Sequence, residues 1–225
     1  VLQSLNEVHE VETWAEPGQS RNVTIDGKMA AQVALGRIAR MTWLVPVMDR
    51  LWVEGADGRR KFLDRMAMSF EPGHGEAVLT YEKAMRERNR LLKDGHRDAH
   101  WYGALEAQMA QAGAAIQENR ARTVALIVGA QMVAKTAFPA AELQLLHAEG
   151  AETGPEGETE LAAAFAESRP RDLMAGRTLV GPHRADLAAT YAEKDMPARE
   201  CSTGEQKALL VSLILAHGRA LAQDF

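Results

Sequence analysis

Cysteine is almost absent from this chain. Cys201 is the single one in 225 residues, so no internal disulfide can form, which fits a reducing compartment and predicts a cytoplasmic protein. Beside Ser202 and with no neighbouring histidine, Cys201 reads as a small packed residue and not a nucleophile. No cysteine or carboxylate cluster completes a zinc set. His96 and His100 have ligand spacing, but Gly95 and Asp98 mark a helix break there, so no metal site is expected. Aromatic residues make up only 5% of the chain, too few to advertise a base-stacking platform. A basic excess is missing as well. The formal net charge is -5, so any DNA contact must be a local patch. No apolar run reaches bilayer-spanning length, and Val1 opens no signal-peptide pattern, so no membrane role is expected.

What is present suits a folded protein with a real core: 46% hydrophobic and 25% charged residues. Residues 8–14 and 21–25 read as strands, the second ending at the Asp26-Gly27 turn. Residues 32–40 read as a helix, and the apolar run 42–45, ended by Pro46, as a buried strand. Asp57 is placed to cap a helix through Phe70, with Phe62, Leu63, Met66 and Phe70 on one face. Pro72 interrupts. A second helix, 75–93, carries a stripe of Val78, Tyr81, Met85 and Leu92 and stops at Gly95. Asp98 caps a third, 99–135, whose Leu105, Met109, Ala112, Ile116, Asn119 and Thr123 alternate steps of four and three, a heptad seam. Asn119 is the polar residue that would set its register. Such a helix is roughly 50 Å long, and helices two and three are predicted to pair as an antiparallel hairpin, an arm set apart from the core. Beyond Pro139, residues 143–147 read as a strand, 149–160 as an acidic surface loop, 161–168 as a short helix and 177–180 as a strand. Leu187, Ala189 and Tyr191 alternate as in another strand, and the chain turns at 193–195. There is no internal repeat.

The chemistry gathers in Ser202-Thr203-Gly204-Glu205-Gln206-Lys207, which runs into the apolar stretch 208–216. Ser202 and Glu205 have capping-box spacing. Gly204 removes a side chain where an anion could approach the backbone. Free N–H groups and the helix dipole favour a phosphate there, although a capping box also serves simply to start a helix. Two basic clusters stand out. Arg59, Arg60, Lys61 and Arg65 lie opposite one apolar face, and Arg86, Arg88, Arg90 and Lys93 lie along the next helix. Each is read either as a solvated, ion-paired face or as a DNA-phosphate contact.

Four segments, 44–65, 81–92, Gly181-Pro182-His183-Arg184-Ala185-Asp186-Leu187 and 202–216, occur in the order and spacing of a known family. From about Thr42 onward the chain resembles RecF, the bacterial recombination-repair ATPases with an ABC-type head. The resemblance implies an α/β (α+β) fold, a partial ABC-type ATPase head of the P-loop NTPase kind with an inserted arm of antiparallel helices. Residues 1–52 would form part of the head, 53–138 the arm, and 139–225 the return to the head with the signature motif and helix. It implies that Ser202, Thr203, Gly204, Glu205, Gln206 and Lys207 meet the γ-phosphate of ATP held by a second subunit. His183 and Arg184 would border the nucleotide interface, and Asp49 would lie in a nucleotide-sensing loop. It further implies ATP and Mg²⁺ in the complete protein, ATP-dependent homodimerisation, and DNA binding near single-strand/double-strand junctions. Recombination mediator partners, aid to recombinase loading and a part in the SOS response follow from the same resemblance. The family's Gly-Lys-Ser/Thr phosphate loop is not in this sequence, nor is its apolar strand ending in acidic residues. The chain is therefore expected to be the middle of a longer protein, cut at both ends, and not to hydrolyse ATP alone. A reading from a different class is a non-catalytic coiled-coil scaffold in which the helical hairpin binds partner proteins.

Overall fold

Glycine and proline punctuate the helical half of the molecule as their backbone chemistry requires. In the computed structural model, which describes residues 2–3, 8–38, 40–96, 98–134 and 136–223, helix α1 (Ala56–Phe70) ends before Pro72. Helix α2 (His74–Lys93) stops before Gly95, whose φ of +69° is left-handed. Asp98 caps α3 (Ala99–Met132), its Oδ1 accepting the N–H groups of His100 at 2.9 Å and Trp101 at 3.4 Å. Asp57 does not cap α1 as predicted. Gly55 holds that position, and Asp57 lies in the first turn, ion-paired to Lys61 at 2.7 Å.

Helices α4 (Gly157–Ala175) and α5 (Thr203–Gln223) complete the helical set. Strands β1 (Leu2–Gln3) and β2 (Val8–His9) pair with each other, and β3 (Val11–Trp14), β4 (Asn22–Ile25) and β5 (Lys28–Ala30) form an antiparallel meander. A second three-stranded sheet is built from β6 (Ala141–Leu146), β7 (Asp186–Tyr191) and β8 (Met196–Pro197), in the order β6–β7–β8 and antiparallel throughout. Its register sets Ala141 opposite Tyr191 and Leu145 opposite Leu187. Leu187 and Ala189 turn into the main core with Phe62, Leu63 and Met66 of α1, Ile127 of α3, and Leu209, Leu210 and Leu213 of α5. A second core of Tyr81, Met109, Ile116, Leu161 and Phe165 fills the space between α2, α3 and α4.

That second core corrects the predicted two-helix arm. Helix α4, expected only over 161–168, is longer and lies along α3 as a third helix, so the seam is closed on both sides. Gly113 permits this: a Cβ there would sit 3.1 Å from Leu161 Cδ1. Helix α3 belongs to both cores, since Ile116 sits in the second and Ile127 and Ala130 in the first. Two predicted strands are also absent. Segment 42–45 pairs with no strand among the described residues, and Trp43 and Leu44 are 42% and 44% exposed. It is tethered instead, with Thr42 Oγ1 3.0 Å from His217 Nδ1 and the Met41 carbonyl accepting from Ser69 Oγ at 3.1 Å. Segment 177–180 makes no ladder, because the Thr178 and Leu179 N–H groups donate to the side chains of Asn89 and Asp172. The predicted helix at 32–40 appears as a 3-10 helix over Gln32–Arg37, and its position 39, like position 135 of the predicted third helix, lies outside the described residues. No helix among the described residues is long and apolar enough to cross a membrane.

Candidate nucleotide interface at the start of the last helix

The site is assembled where the sheet hands the chain to α5. After β8, a single 3-10 turn over Ala198–Glu200 buries Cys201, and burial pushes its thiol above the ordinary range. Ser202 follows, and the predicted capping box is formed. Glu205 Oε2 accepts from the Ser202 N–H at 2.8 Å and from its hydroxyl at 2.7 Å, while Ser202 Oγ accepts from the Glu205 N–H at 3.4 Å. Lys194 ion-pairs with the other carboxylate oxygen. The Lys194 contact first, then the two Ser202 bonds, hold the Glu205 carboxyl down at about 2.

The six motif residues then divide by role. The Gln206 side chain points inward and donates to the Cys201 carbonyl at 3.0 Å, and its N–H is taken by the Ser202 carbonyl at 2.9 Å. Glu205 is committed to the cap. Thr203 and Gly204 keep N–H groups that have no partner among the described residues, as expected in a first helical turn. Both residues are exposed, and a Cβ on Gly204 would meet no protein atom within 4 Å. Lys207 Nζ lies 2.8 Å from Asp49 Oδ2, which ties the first turn of α5 to the short 3-10 helix Pro46–Arg50. Asp49 therefore joins the signature segment. Behind these residues α5 is seated through Leu209, Leu210, Leu213 and Ala216, all at most 4% exposed. The result is a firmly held helix whose positive end and two spare donors face outward.

Both ring nitrogens of His183 are engaged within the protein. Tyr81 Oη lies 2.8 Å from Nδ1, and the Thr178 carbonyl lies 3.2 Å from Nε2. A carbonyl can only accept, so Nε2 carries the proton and Nδ1 accepts from the Tyr81 hydroxyl. Burial drives this ring's pKa down to about 4, although the Thr178 carbonyl pulls the other way. The neutral ring is the folded form, so the contribution is complete above about 6.5 and is lost as pH falls through about 4. That displacement corresponds to on the order of 3 kcal/mol. Burial also lowers His217, which adds to the loss with the same sign. Urea unfolding between pH 7 and pH 4 is expected to show this fall and to show it flattened in His183→Gln; parallel curves would contradict it. Arg184, its neighbour, is exposed on the surface.

The basic clusters are mostly engaged in structure. Arg59 forks onto Asp186 at 2.7 and 2.8 Å, which locks α1 to β7. Arg60 donates to the Ala185 carbonyl at 2.8 Å, and Arg65 is half-buried with its guanidinium 5.9 Å from the centre of the Trp43 ring. Lys61 is exposed and paired with Asp57. In the second cluster Arg86 and Arg90 are exposed beside Glu82 and Glu87. Arg88 corrects the reading of that cluster as a DNA face. It is 0% exposed, and donates to Asp172 at 2.7 Å, Thr178 Oγ1 at 2.9 Å, the Phe165 carbonyl at 3.0 Å and Glu106 at 3.1 Å. Its partners Glu106 and Asp172 were not singled out from the sequence, nor was the second network in which Arg120 forks onto Asp64 at 2.7 and 2.9 Å. The signal for Arg88 was present: positions 81, 85, 88 and 92 form one helical stripe, and a charge in that stripe is buried with partners or not tolerated.

No family-wide sequence profile matches the chain. Against individual curated proteins it is 47% identical over 209 residues to the DNA replication and repair protein RecF of Brucella suis biovar 1 (strain 1330), covering 90% of this chain and 54% of that protein. This chain is a relative of RecF. The RecF of Mesorhizobium japonicum (strain LMG 29417 / CECT 9101 / MAFF 303099) is 46% identical over 208 residues, 88% of this chain and 54% of its own. That of Rhizobium etli (strain CIAT 652) is 42% identical over 221 residues, 93% and 59% respectively. The chain thus spans a little over half the length of the curated RecF proteins it matches. Two solved structures, of the recombination mediator protein RecF with ATP and as RecF-ATPrS in the RecFOR pathway, share its fold. Their TM-scores are 0.80 and 0.77 at 20% identity, over 96% of this chain and 60% of theirs. The mixed helix–strand architecture is the fold of those two RecF structures.

Proposed function

We propose that this RecF relative works in DNA replication and recombinational repair, and that its 202–207 segment is the trans-acting signature of an ATP-dependent dimer. The γ-phosphate of ATP held by a second subunit would meet the spare N–H groups of Thr203 and Gly204, with Lys207 adding charge. Ser202 would join by transferring its hydroxyl hydrogen bond from Glu205 to the phosphate, and Lys194 would keep neutralising the Glu205 carboxylate. ATP and Mg²⁺ would be held by the partner's phosphate-binding residues, and hydrolysis would release the dimer. The complete protein would act in the cytoplasm on DNA near single-strand/double-strand junctions, with other recombination mediators. It would assist recombinase loading and the SOS response. Exposed Lys61, Arg86 and Arg90 remain as DNA-phosphate contacts in this scheme. The scaffold reading is less favoured, since α4 already occupies the seam that a partner helix would need.

The observation that carries the proposal is the pair of unpartnered N–H groups at an anchored helix start, with Gly204 open to an approaching ligand. Gly204→Asp tests it. An added Cβ meets no protein atom within 4 Å, and an acidic residue suits the first turn of a helix, so folding should be unaffected. It places a negative charge where the phosphate would arrive. Sedimentation of the full-length protein with ATP is expected to show dimerisation weakened at least about tenfold, or about 1.4 kcal/mol. Undiminished dimerisation would sink the proposal.

A further inference from the structure

A long free edge runs along β6. In the β6–β7 pair the main-chain groups of alternate residues face the partner strand, and those of the others face away. The Ala192 N–H donates to the Ala140 carbonyl at 3.2 Å, which puts the even-numbered residues of β6 on the β7 side. The odd-numbered ones face outward. At one end Ala141 exchanges both its hydrogen bonds with the Gln131 side chain, at 2.9 and 3.1 Å. At the other, the His147 N–H is taken by the Ala151 carbonyl at 2.7 Å. Between these two clamps the N–H and C=O groups of Leu143 and Leu145 have no partner among the described residues. The opposite edge of the sheet is blunted, because β8 is two residues long and one of them is Pro197.

Helix α3 runs antiparallel beside this edge. Gln131 reaches Ala141, and Gln117, Glu118 and Ala121 share a cavity with Leu145, Leu146 and His147. The stretch from 117 to 131 and the stretch from 147 to 141 are each about 20 Å long, so helix and strand form the two walls of one trough. Its two ends open as cavities of about 470 and 330 Å³. The charged side chains in these walls are Glu118, Glu152 and Glu156 at one end and Glu142 at the other. The basic residues there are Arg120, which is spent on Asp64 and on the Pro182 carbonyl at 2.8 Å, and His147, whose Nε2 lies 3.5 Å from Glu156 Oε1. The trough is therefore acidic, with an apolar floor from Val128, Leu143 and Leu145.

We infer that the β6 edge is a docking site for an extended peptide of another protein, one that alternates apolar and basic residues. Its main chain pairs with Leu143 and Leu145, its apolar side chains rest against α3, and its Lys or Arg side chains answer Glu118, Glu142 and Glu152. The acidic walls reject nucleic acid. They also disfavour a second copy of this chain, since edge-to-edge pairing would bring Glu142 toward the partner's own acidic wall. The site is distinct from the α5 start and does not depend on nucleotide.

The test titrates the full-length protein with a labelled peptide of about ten residues that alternates Val and Lys, read by fluorescence anisotropy, with amide exchange followed at Leu143 and Leu145. Saturable binding is expected, with exchange at those two amides slowed at least about tenfold by the peptide. Glu118→Lys combined with Glu142→Lys, both on exposed residues, should leave the thermal melt unchanged and weaken binding about tenfold or more. N-methylation of alternate peptide residues should abolish it, and a Val/Glu peptide should not bind. The inference is overturned by no saturable binding, by equal binding of the acidic peptide, or by an unaffected double variant. Slow exchange at Leu143 and Leu145 without peptide would also overturn it, because the protein's own residues would then fill the edge. So would concentration-dependent dimerisation abolished by the double variant, which would make the occupant a second copy.

Discussion

Replacing Arg88 with alanine is expected to unfold the region where α2, α3 and α4 meet. The guanidinium is fully buried and holds together Asp172, Glu106, Thr178 and the Phe165 carbonyl. Its partner Asp172 is itself 0% exposed. Removing only the cation leaves a buried carboxylate without its counter-charge, which typically costs about 3–5 kcal/mol. Arg88→Lys should recover little, because an ammonium cannot reach several acceptors in one plane. The informative comparison is Arg88→Met with Asp172→Leu. That pair removes both charges, leaves Glu106 with Arg169 at 2.8 Å, and should regain much of the loss. Urea unfolding followed by circular dichroism gives all four stabilities. If Arg88→Ala fell within about 1 kcal/mol of the parent protein, the network would be decoration and not support.

The second large effect is expected at Gly181. Its φ is +122°, a region that side chains rarely adopt, and an added Cβ would lie 2.4 Å from Tyr81 Oη and 3.0 Å from Phe165 Cε1. Gly181→Ala thus combines backbone strain of about 1–3 kcal/mol with overpacking of a similar size. Tyr81 cannot simply swing aside, since its hydroxyl is held by His183 and the ring is 2% exposed. Tyr81→Phe in the Gly181→Ala background removes the closest atom and should relieve part of the damage. In the parent background the same change should be mildly harmful, because it deprives His183 of its donor. A thermal melt of the four proteins reads the coupling directly. Additive effects would mean that the clash is not where the geometry puts it.

These cases show what could be read from the chain and what could not. The helix boundaries at Pro72, Gly95 and Asp98 were legible because each residue acts on its own backbone. The capping box of Ser202 and Glu205 was legible for the same reason, and the structure forms it. Readings failed where the answer depended on a distant residue. The run 42–45 is as apolar as a core strand, yet no strand among the described residues pairs with it, and Trp43 and Leu44 stay half-exposed. Segment 177–180 lost its ladder to Asn89, 89 positions before Thr178, and to Asp172, seven before Leu179 on the preceding helix. The hairpin arm became a three-helix unit because Gly113 and Leu161 meet across 48 positions, and no local pattern announces that contact. Asp49 was suspected, but its partner Lys207 could be known only from the fold. Composition groups Arg88 with its exposed basic neighbours, whereas its place in the apolar stripe of α2 decides its burial.

One further consequence follows from the length of α3. Its 34 residues run without a break from the far end of the α2–α3–α4 unit to the core beneath α5. A continuous helix of about 50 Å is stiff, so a tilt of only about 5° at one end carries the other through about 4 Å. Ile127 and Ala130 form the fulcrum, in the same core as α5. A small rotation at the start of α5 would reach Trp101 at the far tip as a mechanical stroke, with α2 and α4 carried along through the core they share with α3.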